Sequence, residues 1–341
     1  MNKITSKKYF IPIFICLAIV VGAAYFYLFA SLAKDGKTYY LYIDGDDKID
    51  SIYARLDTMT TSAGMSAFSM LARHDGYAEK IIQGRYAVKP GIGALRLLRN
   101  LKNGTQTPLH LTIPSVRTTD KLAAVLGNKL QIDSLELVKE LTNPATCSRY
   151  GLETLTIACL FIPNTYDVYW TISAKELLDR MQKESRTFWN EDRRRKAKAL
   201  GMTEVQIITL ASIVDEETAN NDEKPMVAQM YLNRLREDMP LQADPTVKFA
   251  LKQFELKRIY HGQLSVNSPF NTYRNKGLPP GPIRIPTVAG IDAVLNHANH
   301  DYLYMCAKED FSGTHNFAKT YEEHLQNAKR YSDALNKHGI K

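Results

Sequence analysis

An uninterrupted apolar run near the start of this 341-residue chain limits the folds that the chain can adopt. Residues 9–30 contain no charged side chain, and a helix of that length is long enough to cross a bilayer. Three lysines precede the run and two follow it. This slight excess favours an amino terminus on the cytoplasmic side, so residues 1–8 are predicted to be a cytoplasmic tail and residues 9–30 a transmembrane helix.

A cleaved signal peptide is the alternative interpretation, since residues 31–33 (Ser-Leu-Ala) would serve as a cleavage site. The apolar run is longer than the hydrophobic region of a usual signal peptide, so we favour a retained anchor. In either case, residues from about 35 onward are predicted to lie outside the cytoplasm.

The cysteines give no sign of a metal or redox centre. Cys16 lies in the apolar run, and Cys147, Cys159 and Cys306 lie beyond it without a CxxC motif. We expect buried thiols rather than a disulfide between Cys147 and Cys159. The net charge of +8 suits an anionic polymer or a membrane surface but identifies no partner. No basic array interleaved with aromatic residues is present, so nucleic acid is not an expected partner.

Strand and helix patterns alternate after the anchor, which predicts an α+β protein. Residues 38–105 are predicted to form a small α+β module, and residues 106–341 a larger mixed α/β domain. Residues 86–98 (YAVKPGIGALRLL) resemble the strand, turn and helix of a LysM carbohydrate-binding module. An aromatic strand followed by Pro-Gly and a helix is also common in other folds.

A helix with an acidic residue on its apolar side is predicted around residues 208–217. Thr203 and Gln206 form a capping-box pattern at its start. On a helical wheel, the polar face consists of Thr209, Ser212 and Glu216, and the apolar stripe of Leu210, Ile213 and Val214. Glu217 falls within the apolar stripe. A carboxyl group facing a core must be paired or hold a proton, and a carboxyl protonated near neutral pH can act as a general acid.

Two other interpretations of this acid remain open. The helix can end near Val214, which would leave Glu217 at an exposed terminus. Residues 215–217 are three successive acids and can be considered as a metal site, but on a helix they point in three directions. His297 and His300 are predicted to share a helical face without a third ligand nearby, so we predict no metal site.

A proline-rich stretch follows at residues 268–287, with five prolines and two glycines. It cannot form a regular helix or a central strand. A long rigid loop inside a domain is usually functional, so we expect this loop to form a wall of a groove.

Several short motifs stand in the order found in the endolytic murein transglycosylases, the YceG-like proteins. They are LASIVDEET at 210–218, NRL at 233–235, LQADPTV at 241–247, NTY at 271–273, GLPPGPI at 277–283 and HNF at 315–317. Together these motifs are highly specific. The amino-terminal half resembles the family mainly in its layout of anchor, LysM-like module and catalytic domain.

The resemblance implies a single-pass enzyme of the bacterial inner membrane whose catalytic domain is periplasmic. Such an enzyme cuts the β-1,4 bond between N-acetylmuramic acid and N-acetylglucosamine within peptidoglycan strands and leaves 1,6-anhydro ends. In the family, the catalytic acid is the second Glu of Ser-Ile-(Ile/Val)-Glu-x-Glu-Thr, which is Glu217 here. The first acid of that motif is Asp215 in this chain, and this departure makes Asp215 less suited to carry chemistry. The resemblance implies no metal or organic cofactor, and peptidoglycan synthases are expected partners.

The motifs also suggest residues around the acid. The candidates for binding sugar hydroxyl and acetamido groups are Gln242, Asp244, Asn271 and Tyr273. The candidates for supporting the site are Asn233, Arg234, Gly277, Pro279 and Pro280. Each binding candidate can instead cap a loop or form a core hydrogen bond. Two further functions stay open: a hydrolytic muramidase with Asp244 as its second acid, and a non-catalytic, membrane-tethered peptidoglycan-binding scaffold.

Overall fold

The computed structural model describes residues 5–256 and 258–338. The chain divides into two compact units. The first unit contains the chain up to His110 together with Asp167–Ile172, and the second contains Leu111–Tyr166 together with the chain from Ser173 onward. The helices and strands mix throughout, which confirms the prediction of an α+β protein.

The chain begins with a long apolar helix, α1 (Thr5–Phe29). Its segment Ile11–Phe29 has a mean hydropathy of 2.4, and none of it is buried within the protein. Among the described residues, α1 is the one single helix that is long and apolar enough to cross a membrane. Its exposed apolar surface is therefore compatible with a single-pass anchor. Residues 1–4 of the predicted cytoplasmic tail lie outside the described residues.

The first unit has a two-stranded sheet beside three further helices. Strand β1 (Tyr39–Ile43) pairs antiparallel with β2 (Gly84–Val88). The helices are α2 (Ile49–Met59), α3 (Ser62–His74) and α4 (Ala94–Lys102). Leu41 and Ile43 are buried while Tyr40 and Tyr42 are exposed, because neighbouring side chains of a strand point to opposite faces. Both strands and helices are present in this part of the chain, as the alternating patterns after the anchor predicted.

The second unit is mainly helical. Its helices are α5 (Thr119–Gly127), α6 (Ser134–Thr142), α7 (Pro144–Arg149), α8 (Ala174–Phe188), α9 (Glu191–Ala199), α10 (Glu204–Glu217), α11 (Lys224–Arg236), α12 (Asp244–Leu251), α13 (His261–Leu264), α14 (Val288–Leu295) and α15 (Tyr321–Lys337). Strand β3 (Leu109–Thr112) pairs with β4 (Thr165–Val168), and β5 (Tyr304–Ala307) pairs antiparallel with β6 (His315–Ala318). Residues 109–110 of β3 and residues 167–168 of β4 belong to the first unit.

Helix α10 is the central helix of the second unit and packs against α11, α12 and α14. The predicted capping box of Thr203 and Gln206 is present at its start. The predicted polar face is wrong, because Thr209 and Ser212 are buried together with the apolar residues around them. A helix surrounded by other elements has no solvent face to keep polar. The Ser212 hydroxyl is satisfied by the Thr209 carbonyl and by the amide of Ile283.

Two other predictions from the sequence concern the proline-rich stretch and the two histidines, and only the first is confirmed. Residues 268–287 contain no helix or strand, as the prolines predicted. In contrast, His297 and His300 do not share a helical face, because α14 ends at Leu295 and both histidines follow it. His300 instead contacts the backbone carbonyl of Met226 through Nε2 at 3.0 Å.

Candidate active site

The three successive acids at the end of α10 point in three directions. Asp215 is buried and forms a 2.7 Å ion pair with Lys224, and it accepts hydrogen bonds from the amide and hydroxyl of Thr287. Its carboxylate packs so closely on Gly290 that a Cβ there would clash with Oδ1. These contacts give Asp215 a structural role in joining α10, α11 and α14.

Glu216 points to a second set of partners. Arg117 donates two hydrogen bonds to its carboxylate at 2.8 and 2.9 Å, and Arg284 donates one at 3.2 Å. Paired guanidinium groups satisfy a carboxylate well, so Glu216 also has a structural role.

Glu217 is the last residue of α10, and its side chain lines a cavity of about 350 Å³. The helix therefore does not end at Val214, and the acid does not lie at an exposed terminus. The hydroxyl of Tyr231 on α11 donates a 2.6 Å hydrogen bond to Glu217 Oε1. Glu217 is half-buried and is held by one neutral donor, whereas Asp215 and Glu216 form ion pairs.

The surroundings of Glu217 favour its protonated form. Burial is the largest effect and raises the pKa of Glu217 to about 7. The hydrogen bond from Tyr231 acts in the opposite direction, and the negative charge of Asp244 raises the pKa further. Burial also raises the pKa of Tyr231 well above its usual value, so this phenol stays a hydrogen-bond donor. Near neutral pH, Glu217 can therefore both donate and accept a proton.

Three predicted binding residues line the same cavity as Glu217. They are Gln242 and Asp244, which flank the start of α12, and Tyr273. The Tyr273 hydroxyl donates a 2.5 Å hydrogen bond to Asp244 Oδ1. Asp244 does not cap α12 with its side chain. Gln242 has a positive φ of 52°, a conformation that non-glycine residues adopt rarely and that is enriched at functional sites.

Two predicted support residues hold the walls of this cavity. Arg234 donates to Gln242 Oε1 at 2.6 Å and to the backbone carbonyls of Pro240 and Leu303. Asn233 is buried, and its amide donates to the carbonyls of His300 and Tyr302. Arg234 therefore ties α11 to the segments before α12 and β5, and Asn233 ties α11 to the segment before β5.

The other predicted site residues lie elsewhere. Asn271 is fully buried, and its amide donates to the carbonyls of Leu264 and Val266, so the structure supports loop capping rather than contact with a substrate. Gly277 and Pro279 line a different cavity, of about 580 Å³, and do not wall the cavity of Glu217. Pro280 lines neither of these cavities.

Sequence reasoning missed several residues around Glu217. Tyr231 stands beside Met230 at the spacing of an apolar helical stripe, and this pattern gives no sign of the partner of its hydroxyl. His315 also lines the cavity, and its Nδ1 lies 3.0 Å from Oε2 of the buried Glu223. The HNF motif at 315–317 was the available signal for this histidine. The remaining aromatic members of the wall are Tyr304, Tyr321 and His324.

The described residues contain no group of three or more His, Cys, Asp or Glu side chains placed to hold a metal ion. Cys147 and Cys159 are buried free thiols, as the sequence predicted, and Cys306 is a free thiol that lines the Glu217 cavity.

Comparison with known proteins identifies the family. The model of the YceG-like family matches residues 41–330, which is most of the chain. This chain belongs to the YceG-like family. It is 25% identical to a protein of Bacillus subtilis (strain 168) named endolytic murein transglycosylase, over 93% of this chain and 92% of that protein.

Other YceG-like relatives agree with this family membership. A Streptococcus pneumoniae protein (serotype 2, strain D39), also named endolytic murein transglycosylase, is 26% identical over 97% of this chain and 66% of its own length. The crystal structure of a YceG-like protein from Listeria monocytogenes superposes with a TM-score of 0.55 at 26% identity, covering 86% of this chain and 99% of that chain.

Proposed function

We propose that this YceG-like protein is an endolytic lytic transglycosylase of peptidoglycan. The bond it cleaves is the β-1,4 link between N-acetylmuramic acid and N-acetylglucosamine, and the product is a 1,6-anhydro-muramyl end. The observation that carries the proposal is Glu217, a half-buried carboxyl whose pKa is raised to about 7 and whose cavity is lined by exposed polar residues. The names of the relatives support the same class of reaction.

In the first step, protonated Glu217 donates its proton to the glycosidic oxygen as the bond to C1 breaks. Tyr231 donates its hydrogen bond to Oε1, which leaves Oε2 as the oxygen that carries the transferable proton. Because the pKa lies near neutral pH, the acid is protonated in a large share of molecules and is still strong enough to release its proton.

In the second step, the same group acts as a base. The Glu217 carboxylate takes the proton from the C6 hydroxyl of the muramyl residue, and the C6 oxygen bonds to C1 and closes the anhydro ring. The nucleophile is part of the substrate and already lies close to C1, so no water molecule has to be activated. The cycle leaves Glu217 protonated again, and the protein needs no second carboxylate for the chemistry.

Asp244 has a binding role in this scheme. Its Oδ1 accepts a hydrogen bond from Tyr273, and its exposed carboxylate, with Gln242, offers acceptors to sugar hydroxyl and amide groups. A hydrolytic muramidase remains the second candidate function, because Asp244 lies close enough to Glu217 for its charge to raise the pKa of the acid. In that reaction Asp244 would activate a water molecule.

The rest of the chain fits an enzyme held beside its polymeric substrate. We propose that α1 anchors the protein in the bacterial inner membrane, with the amino terminus in the cytoplasm and the chain that follows α1 in the periplasm. In this arrangement, residues 38–105 are a LysM-like module that contacts glycan, residues 106–341 are the catalytic domain, and peptidoglycan synthases are partners in cell-wall assembly.

The test separates an enzyme from a scaffold. The full-length chain and its Glu217→Gln variant are purified in detergent, and each is incubated with purified peptidoglycan while binding and release of soluble fragments are measured. We expect both proteins to bind, and the wild type alone to release fragments. Equal release by both proteins would exclude Glu217 as the acid, and binding without release by both would favour a scaffold.

A further inference from the structure

Three aromatic rings form a continuous part of the wall of the Glu217 cavity. They are Tyr304 on β5 and Tyr321 and His324 on α15, which we call the aromatic platform. The ring centroids lie 5.8 Å apart for Tyr304 and Tyr321, 5.5 Å for Tyr304 and His324, and 6.1 Å for Tyr321 and His324. These distances are those of aromatic rings in direct contact.

The position of the aromatic platform is fixed by helix α15. The capping box of Thr320 and Glu323 fixes the start of α15, directly beside Tyr321, and α15 packs on β5 and β6. Even so, the Tyr321 side chain is 59% exposed. Core packing therefore does not account for this ring, which lies at the edge of a cavity that already contains an acid.

His324 is also poorly explained by stability alone. Its Nδ1 is buried and has no hydrogen-bond partner, and a buried polar atom without a partner destabilises the fold. Burial and the positive charge of Arg234 lower the pKa of His324, so its ring is neutral near pH 7. A neutral imidazole beside two phenol rings extends a largely apolar aromatic surface.

The walls of the cavity differ in chemistry. Gln242 and Asp244 contribute polar side chains to the wall, and the platform contributes aromatic rings. A pyranose ring has the matching character, since its hydroxyl and acetamido groups are polar while its axial C–H groups form an apolar face. A sugar in this cavity can form hydrogen bonds with the polar side chains while its apolar face packs on the aromatic rings.

We propose that the aromatic platform is a sugar-stacking subsite, in which Tyr321 packs against the apolar face of one N-acetylhexosamine ring of a β-1,4-linked glycan strand. This inference rests on the proposed function, because it assigns a substrate contact to the same cavity. Tyr321 is a binding residue here and takes no part in proton transfer. Its contribution is therefore expected in KM and not in kcat.

Binding is measured with the full-length chain in detergent and with soluble, uncrosslinked glycan strands. The Glu217→Gln background prevents cleavage, and Tyr321→Ala, Tyr321→Leu and Tyr321→Phe are compared in it. Leu325→Ala is the matched control, since Leu325 is a 50% exposed residue of the same helix that does not line the cavity. We expect Ala and Leu to weaken binding about two- to tenfold, and Phe and the control to bind as the background does.

The outcomes separate this subsite from the proposed reaction. Unchanged binding by Tyr321→Ala and Tyr321→Leu would overturn the subsite, as would equal losses for Phe and Ala, which would assign the effect to the hydroxyl. Absence of any strand binding in the background would overturn it as well. In the active chain we expect Tyr321→Ala to raise KM while kcat stays unchanged. If the wild type shows no cleavage and Tyr321→Ala still weakens binding, the subsite stands and the lytic function fails.

Discussion

The hydroxyl of Tyr231 lies 2.6 Å from Oε1 of Glu217 and donates a hydrogen bond to it. The two residues come from α10 and α11, and the contact fixes the carboxyl group at the point where it faces the cavity. Because the donor is neutral, it orients the acid without stabilising the carboxylate as strongly as a guanidinium would. Glu217 thereby keeps its raised pKa, whereas its neighbours Asp215 and Glu216 are each paired with cations.

Removing the phenol hydroxyl tests this relationship. In Tyr231→Phe, the hydrogen bond that lowers the pKa of Glu217 is lost, so the pKa rises and the alkaline limb of the pH profile of kcat/KM moves to higher pH. We also expect kcat to fall about tenfold, since the free carboxyl is less well oriented. Tyr302→Phe is the control, because Tyr302 does not line the cavity. An unshifted alkaline limb in Tyr231→Phe would contradict the assigned contact.

Changing Asp244 should move the same limb in the opposite direction. The negative charge of Asp244 raises the pKa of Glu217, so Asp244→Asn lowers that pKa and shifts the alkaline limb to lower pH. The Asn side chain can still accept the hydrogen bond from Tyr273, which preserves the wall. We expect cleavage to continue, with the same anhydro ends in the product. Loss of cleavage as complete as in Glu217→Gln would instead make Asp244 a second catalytic acid.

Glu217 should also reduce the stability of the folded protein at high pH. Its pKa is about 7 in the folded chain and about 4.5 for an unperturbed glutamic acid, so the folded state holds the proton more tightly. The free energy of unfolding therefore falls as pH rises through this interval, by up to about 3 kcal/mol. In Glu217→Gln this loss is absent, and the Gln oxygen can still accept from Tyr231.

Thermal unfolding measured across this pH range tests that expectation. The midpoint of Glu217→Gln should match that of the wild type at about pH 4 and exceed it increasingly up to about pH 8. Glu216→Gln is the contrasting variant, because it leaves Arg117 and Arg284 with a weaker partner and should lower the midpoint at both pH values. A constant difference between Glu217→Gln and the wild type would show that the acid is not buried as described.

The buried pair of Asp215 and Lys224 makes a separate prediction about stability. Both side chains are almost fully buried, at 1% and 5% exposure, so removing one leaves the other charge without its partner. Lys224→Met should reduce the free energy of unfolding by about 3–5 kcal/mol. The double variant Asp215→Asn, Lys224→Met should recover part of this loss, and chemical denaturation measures both. Equal losses in the single and double variants would contradict the pairing.

The sequence predicted the inward position of Glu217 better than it predicted the surroundings of α10. The helical wheel placed Glu217 on an inward face, and the motif at 210–218 pointed to the same residue. The wheel also assigned Thr209 and Ser212 to a solvent face, although both are buried. Periodicity assumes that one side of a helix meets water, and a helix enclosed by α11, α12 and α14 does not meet that assumption.

Side-chain direction in loops was the hardest feature to predict. Asn271 and Tyr273 stand two residues apart in one motif, yet Asn271 caps a loop and Tyr273 lines the cavity. The prolines of residues 268–287 correctly excluded regular structure but carry no information on which cavity the loop borders. Tyr231 shows the related difficulty in a helix, where spacing identifies an inward residue but not the partner of its hydroxyl.

The mass of the cleaved ends tests the central claim most directly. Peptidoglycan is digested by the full-length chain in water labelled with oxygen-18, beside a Glu217→Gln digest, and the fragments are analysed by mass spectrometry. We predict anhydro-muramyl ends that contain no oxygen-18 in the wild-type digest and no new ends in the variant digest. Reducing ends that carry oxygen-18 would contradict the account, because they require water in place of the C6 hydroxyl as the nucleophile.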